Sequence, residues 1–266
     1  MLEVLSFVRE RVADEVPLVL ATVVAVDGAA GTAGTVPGAT WALGGDGTRA
    51  GSLGDESLEQ SVEGDAADAL GTGSSGVRRY GGVTVFLHVV DVPPRLVVVG
   101  AADVSGPLVS VGKVLGFRVV VCDARPAFVT RTRFPDADEL VADWPNRYLA
   151  SIASTLGPKD AVCVLTHDAK FDVPALATAL ETRAGYVGAM GSRRTHADRV
   201  ARLRAAGVAD EDVGRVMAPI GLDLGGRTPA EVAVAIGAEI VAVRCGASAP
   251  SLRDGAGPIH RESGPR

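Results

Sequence analysis

From residue 95 onward the chain alternates short valine-rich runs with helix-length segments, and that order leaves few folds open. RLVVVG (95–100), FRVVVCD (117–123), DAVCVLTH (160–167) and GYVGAM (185–190) read as strands. Residues 104–116, 148–156, 172–183, 193–206 and 229–244 read as helices. The last opens on Thr228-Pro229-Ala230-Glu231, a capping box with proline at the first helical position. Strand–helix alternation demands crossover connections and hence a parallel sheet. The prediction is an α/β chain with a Rossmann-like, doubly wound parallel sheet over 96–245.

The first 91 residues read differently, as a smaller mixed α+β domain. Val4, Leu5, Val8 and Val12 fall at helical spacing within 1–15. PLVLATVVAV (17–26), GTVPGATWAL (34–43), residues 48–53 and VTVFLHVV (83–90) read as strands, with Gly44-Gly45-Asp46-Gly47 as a turn. Asp55 is placed to cap a helix running to about Leu70, and residues 71–76 form a glycine–serine connection. Paired prolines at 93 and 94 mark 92–96 as an interdomain linker, since neither can sit inside a helix or central strand. Residues 246–266 are polar and rich in breakers, and are expected to be disordered.

Composition narrows the function classes. Of the 266 residues 47% are hydrophobic, but no run approaches the ~20 apolar residues of a membrane span. The N-terminus mixes acids and bases and lacks a small-residue cleavage site, so a cytoplasmic protein is expected. A formal net charge of −6 without a long basic run argues against nucleic acid as partner. Cys122, Cys163 and Cys245 are odd in number and far apart, which excludes a disulfide framework and disfavours zinc. Cys122 and Cys163 lie in valine-rich runs and read as buried hydrophobes.

Chemistry is expected where loops meet at the ends of the parallel strands. The first such turn is Gly100-Ala101-Ala102-Asp103-Val104-Ser105-Gly106. A dinucleotide fingerprint wants glycine where Ala102 stands, and Asp103 adds negative charge beside any phosphate. Asp123 ends the next strand, where a ribose is commonly held. Thr166, His167 and Asp168 close a third strand, and a histidine there can bind a ligand or move a proton, or be held by Asp168 to shape the loop. Gly188, Gly191 and Ser192 lead into a helix whose first turn carries Arg193 and Arg194. Those cations are disfavoured by the helix dipole unless an anion compensates them. Residues 219–227 form a second glycine-rich loop with Gly221, Asp223 and Arg227, in which Asp223–Arg227 reads equally as an internal salt bridge. No residue is singled out as catalytic or as a metal ligand.

AMGSRR at 189–194, then API-GLDLG-x-RTP-x-E before an alanine-rich helix, resembles the XdhC/CoxI family of molybdoenzyme accessory proteins. LGFRVVVCDAR (115–125), DELVADWP (138–145) and VLTHDAKFDVPAL (164–176) extend the resemblance over 95–245, with a weaker echo over 17–70. It implies a chaperone that binds molybdenum cofactor, as molybdopterin or its dinucleotide form, and helps deliver it to an apo-molybdenum hydroxylase of the xanthine or CO dehydrogenase type. It also implies a homo-oligomer and, as a further partner, a sulfur donor of the cysteine-desulfurase type. The family commonly has a cysteine where this chain has Ser57, and a hydroxyl cannot replace a thiolate as soft ligand or persulfide carrier. Two other readings share the fold: an NAD(P)-dependent oxidoreductase using Asp123 and His167, and a nucleotide-sensing regulatory protein.

Overall fold

A computed structural model describes residues 2–14, 16–27 and 34–254, and the chain divides into two compact units, Met1–Val92 and Pro93–Arg266. In the first unit, helix α1 (Leu2–Ala13) precedes strands β1 (Leu18–Val26), β2 (Thr40–Gly44) and β3 (Arg49–Ser52), then helix α2 (Glu56–Thr72) and strands β4 (Gly76–Tyr80) and β5 (Val83–Val90). The strands form one antiparallel sheet in the order β3-β2-β1-β5-β4. Val83, Val85 and Leu87 alternate inward and meet Leu58, Val62 and Ala66 of α2, so one face of the sheet carries the core.

Three details differ from the sequence reading. The strand expected over 34–43 starts only at Thr40, because Gly38 takes a left-handed turn (φ +90°) just before it. The connection expected over 71–76 is shortened by α2, which runs to Thr72 and is capped by left-handed Gly73, and by β4, whose register against β5 begins at Gly76. In α1 only Val4 is buried, while Leu5 and Val12 remain exposed.

The second unit holds β6 (Arg95–Val99), α3 (Ser105–Val114), β7 (Arg118–Cys122), β8 (Glu139–Val141), α4 (Pro145–Ile152), β9 (Ala161–Val164) and α5 (Ala169–Leu180). Strand β10 (Tyr186–Ala189), α6 (Arg193–Ala205), α7 (Asp210–Val213), β11 (Val216–Met217) and α8 (Pro229–Arg244) follow. Its sheet is parallel throughout, in the order β11-β10-β9-β6-β7-β8. That is the doubly wound order in which the chain starts at the centre, builds one edge, then crosses to build the other.

Leu96 to Val99, Val119 to Cys122 and the whole of β9 are buried, because helices cover both faces of the sheet. One apolar cluster joins alternate strand residues to α3 and α8, and a second joins the rest to α4, α5 and α6. Strands β8 and β11 are too short to have been read from the sequence. In the tail expected to be disordered, Ala247 donates to the Ala242 carbonyl to close α8, and Leu252–Asp254 forms a short 3₁₀ turn. The last twelve residues of that expectation lie outside the described residues.

Candidate functional site

The reversal of strand order falls between β6 and β9, and a crevice opens at the carboxyl ends of those two strands. It encloses about 700 Å³, within the range of small-molecule and cofactor sites. Its floor and walls come from Gly100 to Val104 after β6, Arg125 after β7, Leu165 to Asp168 after β9, Phe171 in α5, Met190 after β10, and Arg227, Pro229 and Val232 at the start of α8.

Gly100 is glycine for a steric reason. Its φ is +99°, and an added Cβ would lie 2.4 Å from Thr166 Cγ2. The turn that follows is bonded to itself. Gly100 N donates to the Cys122 carbonyl at 2.8 Å, Ala101 N to Asp123 Oδ2 at 2.8 Å, and Ala102 N to Ser105 Oγ at 3.0 Å. Ser105 is fully buried and donates its own proton to the Gly100 carbonyl at 2.6 Å. These three amides are thus committed inside the protein, and together with Ala102 and Asp103 they leave the NAD(P) reading without the pyrophosphate cradle it requires.

Asp123, expected where a ribose is held, is bonded within the protein and is not among the residues lining the cleft. It is 3% exposed, and besides the Ala101 bond it accepts from Arg125 N and Nε at Oδ1, both at 2.9 Å, and from Arg125 Nη2 at Oδ2 at 2.8 Å. Burial pushes this carboxyl up, but the Arg125 guanidinium and the two backbone donors outweigh it and hold the group below the usual carboxylate range. Asp123 thus holds Arg125 in place. Arg125, absent from the sequence-based candidates, lies over the Phe128 ring at 4.5 Å and faces the cleft half exposed. The signal was present in the two-residue spacing of aspartate and arginine at a strand end.

Thr166, His167 and Asp168 all line the cleft. Asp168 caps α5 by accepting from Lys170 N at 2.9 Å and makes no hydrogen bond to His167 among the described residues, contrary to the looped pairing considered from sequence. Beneath Thr166 runs a buried chain. Thr166 Oγ1 donates to Asp172 Oδ1, Arg199 Nη2 donates to Asp172 Oδ2 at 3.0 Å, and the same nitrogen donates to the Met190 carbonyl at 2.8 Å. Burial pushes the Asp172 carboxyl up, against the pull of the Arg199 guanidinium. Sequence reasoning found neither member of this pair, because 27 residues separate them.

The glycine loop around residue 190 contributes only Met190 to the cleft. Gly188 is buried in β10, where an added Cβ would strike Ile220 at 2.6 Å. Gly191 makes the left-handed turn (φ +143°) into α6, and Ser192 caps that helix by accepting from Thr195 N at 3.1 Å. Arg193 and Arg194 sit on the exposed first turn of α6 and do not line the cleft.

The second loop is likewise anchored elsewhere. Gly221 (φ +96°) packs against Ala235 and Ile236 of α8 and donates to Glu239 Oε2 at 2.9 Å, an oxygen that also accepts from Tyr186 at 2.5 Å. Asp223 is exposed, outside the cleft, and makes no ion pair with Arg227 among the described residues. Only Arg227 from this loop reaches the cleft. Its backbone is fixed by donation to Glu231 at 2.8 Å beside the capping box of Thr228 and Glu231.

No cysteine lines the cleft. Cys122 and Cys163 are buried, and burial pushes the Cys122 thiol up to about 12. Ser57, in the first turn of α2, is exposed and donates to the capping Asp55 at 2.6 Å. Among the described residues no helix is long and apolar enough to cross a membrane.

Residues 96–240 match the XdhC Rossmann domain, and residues 12–81 match the XdhC and CoxI family. A protein of Bacillus subtilis named as a probable xanthine dehydrogenase component is 32% identical over 160 residues, 60% of this chain and 46% of that protein. The molybdenum cofactor insertion chaperone PaoD of Escherichia coli is 34% identical over 95 residues, 36% of this chain and 30% of its own length. The matches thus span less than half of the length of these relatives. A crystal structure described as a xanthine dehydrogenase from Bacillus halodurans shares the fold, with a TM-score of 0.52, 22% identity and coverage of 91% and 95% of the two chains. With more than half of its residues inside one family domain, this chain belongs to the XdhC/CoxI family.

Proposed function

We propose that the chain is an accessory protein that binds molybdenum cofactor in the cleft at the carboxyl edge of its parallel sheet and passes it to an apo-molybdenum hydroxylase. The observation that carries this reading is the division of labour inside the cleft. Arg125 and Arg227 both line it and bring two guanidiniums to it. That pair suits a terminal phosphate. Phe171 and Val232 offer apolar wall to a flat pterin, and Thr166 and His167 offer polar contact. The family membership and the PaoD match support a role in serving molybdenum hydroxylases. The cofactor is cargo in this reading, and the cleft contributes binding rather than turnover.

The same reading keeps the chain in the cytoplasm and working as a homo-oligomer. A sulfur-donating partner would have to act on the cargo without a thiol in the cleft, since neither Ser57 nor the buried cysteines provide one.

The test is titration of the full chain with isolated molybdenum cofactor and, separately, with NADP. Binding of the cofactor in the micromolar range or tighter, weakened at least about tenfold by Arg227→Ala as one charged hydrogen bond predicts, is the expected result. Tight NADP binding with no affinity for molybdopterin would overturn the reading in favour of a nucleotide-dependent enzyme or sensor.

A further inference from the structure

We propose that Thr166 selects the ligand by accepting, not donating, a hydrogen bond, because the buried Asp172–Arg199 pair holds the threonine's only proton. This rests on the cleft being the cofactor site. At the far end of the chain of bonds stands Arg199, a donor with no acceptor atoms, so the oxygen it meets must accept. It meets Asp172 Oδ2 at 3.0 Å, with both side chains at most 4% exposed. The second oxygen of that carboxylate faces Thr166 Oγ1, and a carboxylate can only accept. Thr166 therefore donates inward, and its two lone pairs are what it presents to the cleft it lines.

The side chain is also confined. Thr166 Cγ2 occupies the space that a Cβ on Gly100 would need, 2.4 Å from where that atom would lie. Arg199 Nη2 further ties the Met190 carbonyl at 2.8 Å, so the ends of β9 and β10 are held in one arrangement around the hydroxyl.

An acceptor in the cleft, with two guanidiniums also lining it, sorts a bifunctional ligand by orientation. Phosphate oxygens are repelled from Thr166 and drawn to Arg125 and Arg227. A heterocycle bearing ring N–H or amino groups, as the pyrimidinone ring of a pterin does, is directed to Thr166. Thr166 is thus assigned as a specificity-determining contact, and Asp172 and Arg199 as positioning residues that act through it.

The experiment compares the full chain with Thr166→Val and Thr166→Ser in calorimetric titrations against a phosphate-free pterin, inorganic pyrophosphate and isolated molybdenum cofactor. Valine keeps both branches at Cβ but removes the lone pairs. Loss of one neutral hydrogen bond is expected to weaken pterin binding by about three- to tenfold, while pyrophosphate binding stays unchanged and Thr166→Ser stays near wild type. The unchanged pyrophosphate affinity also reports that the variant is folded. Equal weakening for pterin and pyrophosphate, or no weakening of pterin, overturns the assignment while cofactor binding by the wild-type chain still stands. Wild-type chain that binds neither pterin nor molybdenum cofactor overturns the proposed function and this inference with it.

Discussion

Two carboxylate–arginine pairs flank the cleft, and they are built to different ends. Asp172 and Arg199 are both buried, with side chains 4% and 3% exposed. Asp123 is as buried, at 3%, but its partner Arg125 is 52% exposed. In the first pair both groups are buried, and Arg199 Nη2 and the Asp172 carboxylate hold the Met190 carbonyl and Thr166, while Arg199 Nη1 has no partner among the described residues. In the second, only the carboxylate is used up, and the product is a guanidinium aimed at the cleft. Burying one partner or both decides whether an ion pair shapes a site or contributes to it.

The sharpest way to break the comparison is to remove the buried cation. Arg199→Met strands the Asp172 carboxylate, and urea unfolding is expected to show a loss of about 3–5 kcal/mol. Adding Asp172→Leu should recover more than half of that loss, since replacing both buried charges is far milder than removing one. A double variant no better than the single would mean that packing, not charge, governs the pair.

Removing the half-buried pair's carboxylate should cost less. Asp123→Ala leaves the Ala101 amide without its acceptor and releases Arg125, for an expected loss of about 1–3 kcal/mol. Its pH dependence distinguishes it from the other pair. The folded-state pKa of Asp123 is lowered, so its stabilisation is present above the unfolded value of about 3.9 and disappears as pH falls through the folded value. That of Asp172 is raised, so its contribution runs the other way, weakening stability as pH climbs from about 3.9 through the folded value. Asp123→Ala should therefore lose less stability than wild type when acidified below about pH 4. A parallel acid profile for the two proteins would show that Asp123 is not held below the usual range.

The smallest stability effect belongs to Arg227→Ala, within about 0.5 kcal/mol, because its exposed side chain makes no ion pair among the described residues. Its effect on anionic ligand binding is expected to be the largest of the series, and the opposite ranking of the two readouts would separate a site residue from a structural one. A thermal shift of several degrees with unchanged affinity would reverse its assigned role.

The sequence-based candidates fared differently for reasons that the two pairs make plain. That Gly100, Ala102, Asp103, Thr166, His167 and Asp168 would share one edge was legible, because a parallel sheet brings every strand's carboxyl end together, and all six line the cleft there. In the two glycine loops the glycines serve packing, Gly188 making room for Ile220 and Gly221 for α8, which a linear motif does not disclose. Arg193 and Arg194 look like anion ligands in a linear motif, but their helix begins beyond the turn at Gly191, and its first turn is exposed rather than folded into the cleft.

Strand–helix alternation, the capping box of α8 and the proline-marked connection at 93–94 are local patterns, and local patterns determined the fold class of both units. Register, burial and partnership are not local. That Asp123 belongs to Arg125 and the Ala101 amide, and that Asp172 belongs to Arg199 across 27 residues and also takes the Thr166 proton, were decided by the tertiary structure alone. A side chain's chemistry is written in its identity, but which of its atoms remain free is settled only when the rest of the chain packs around it.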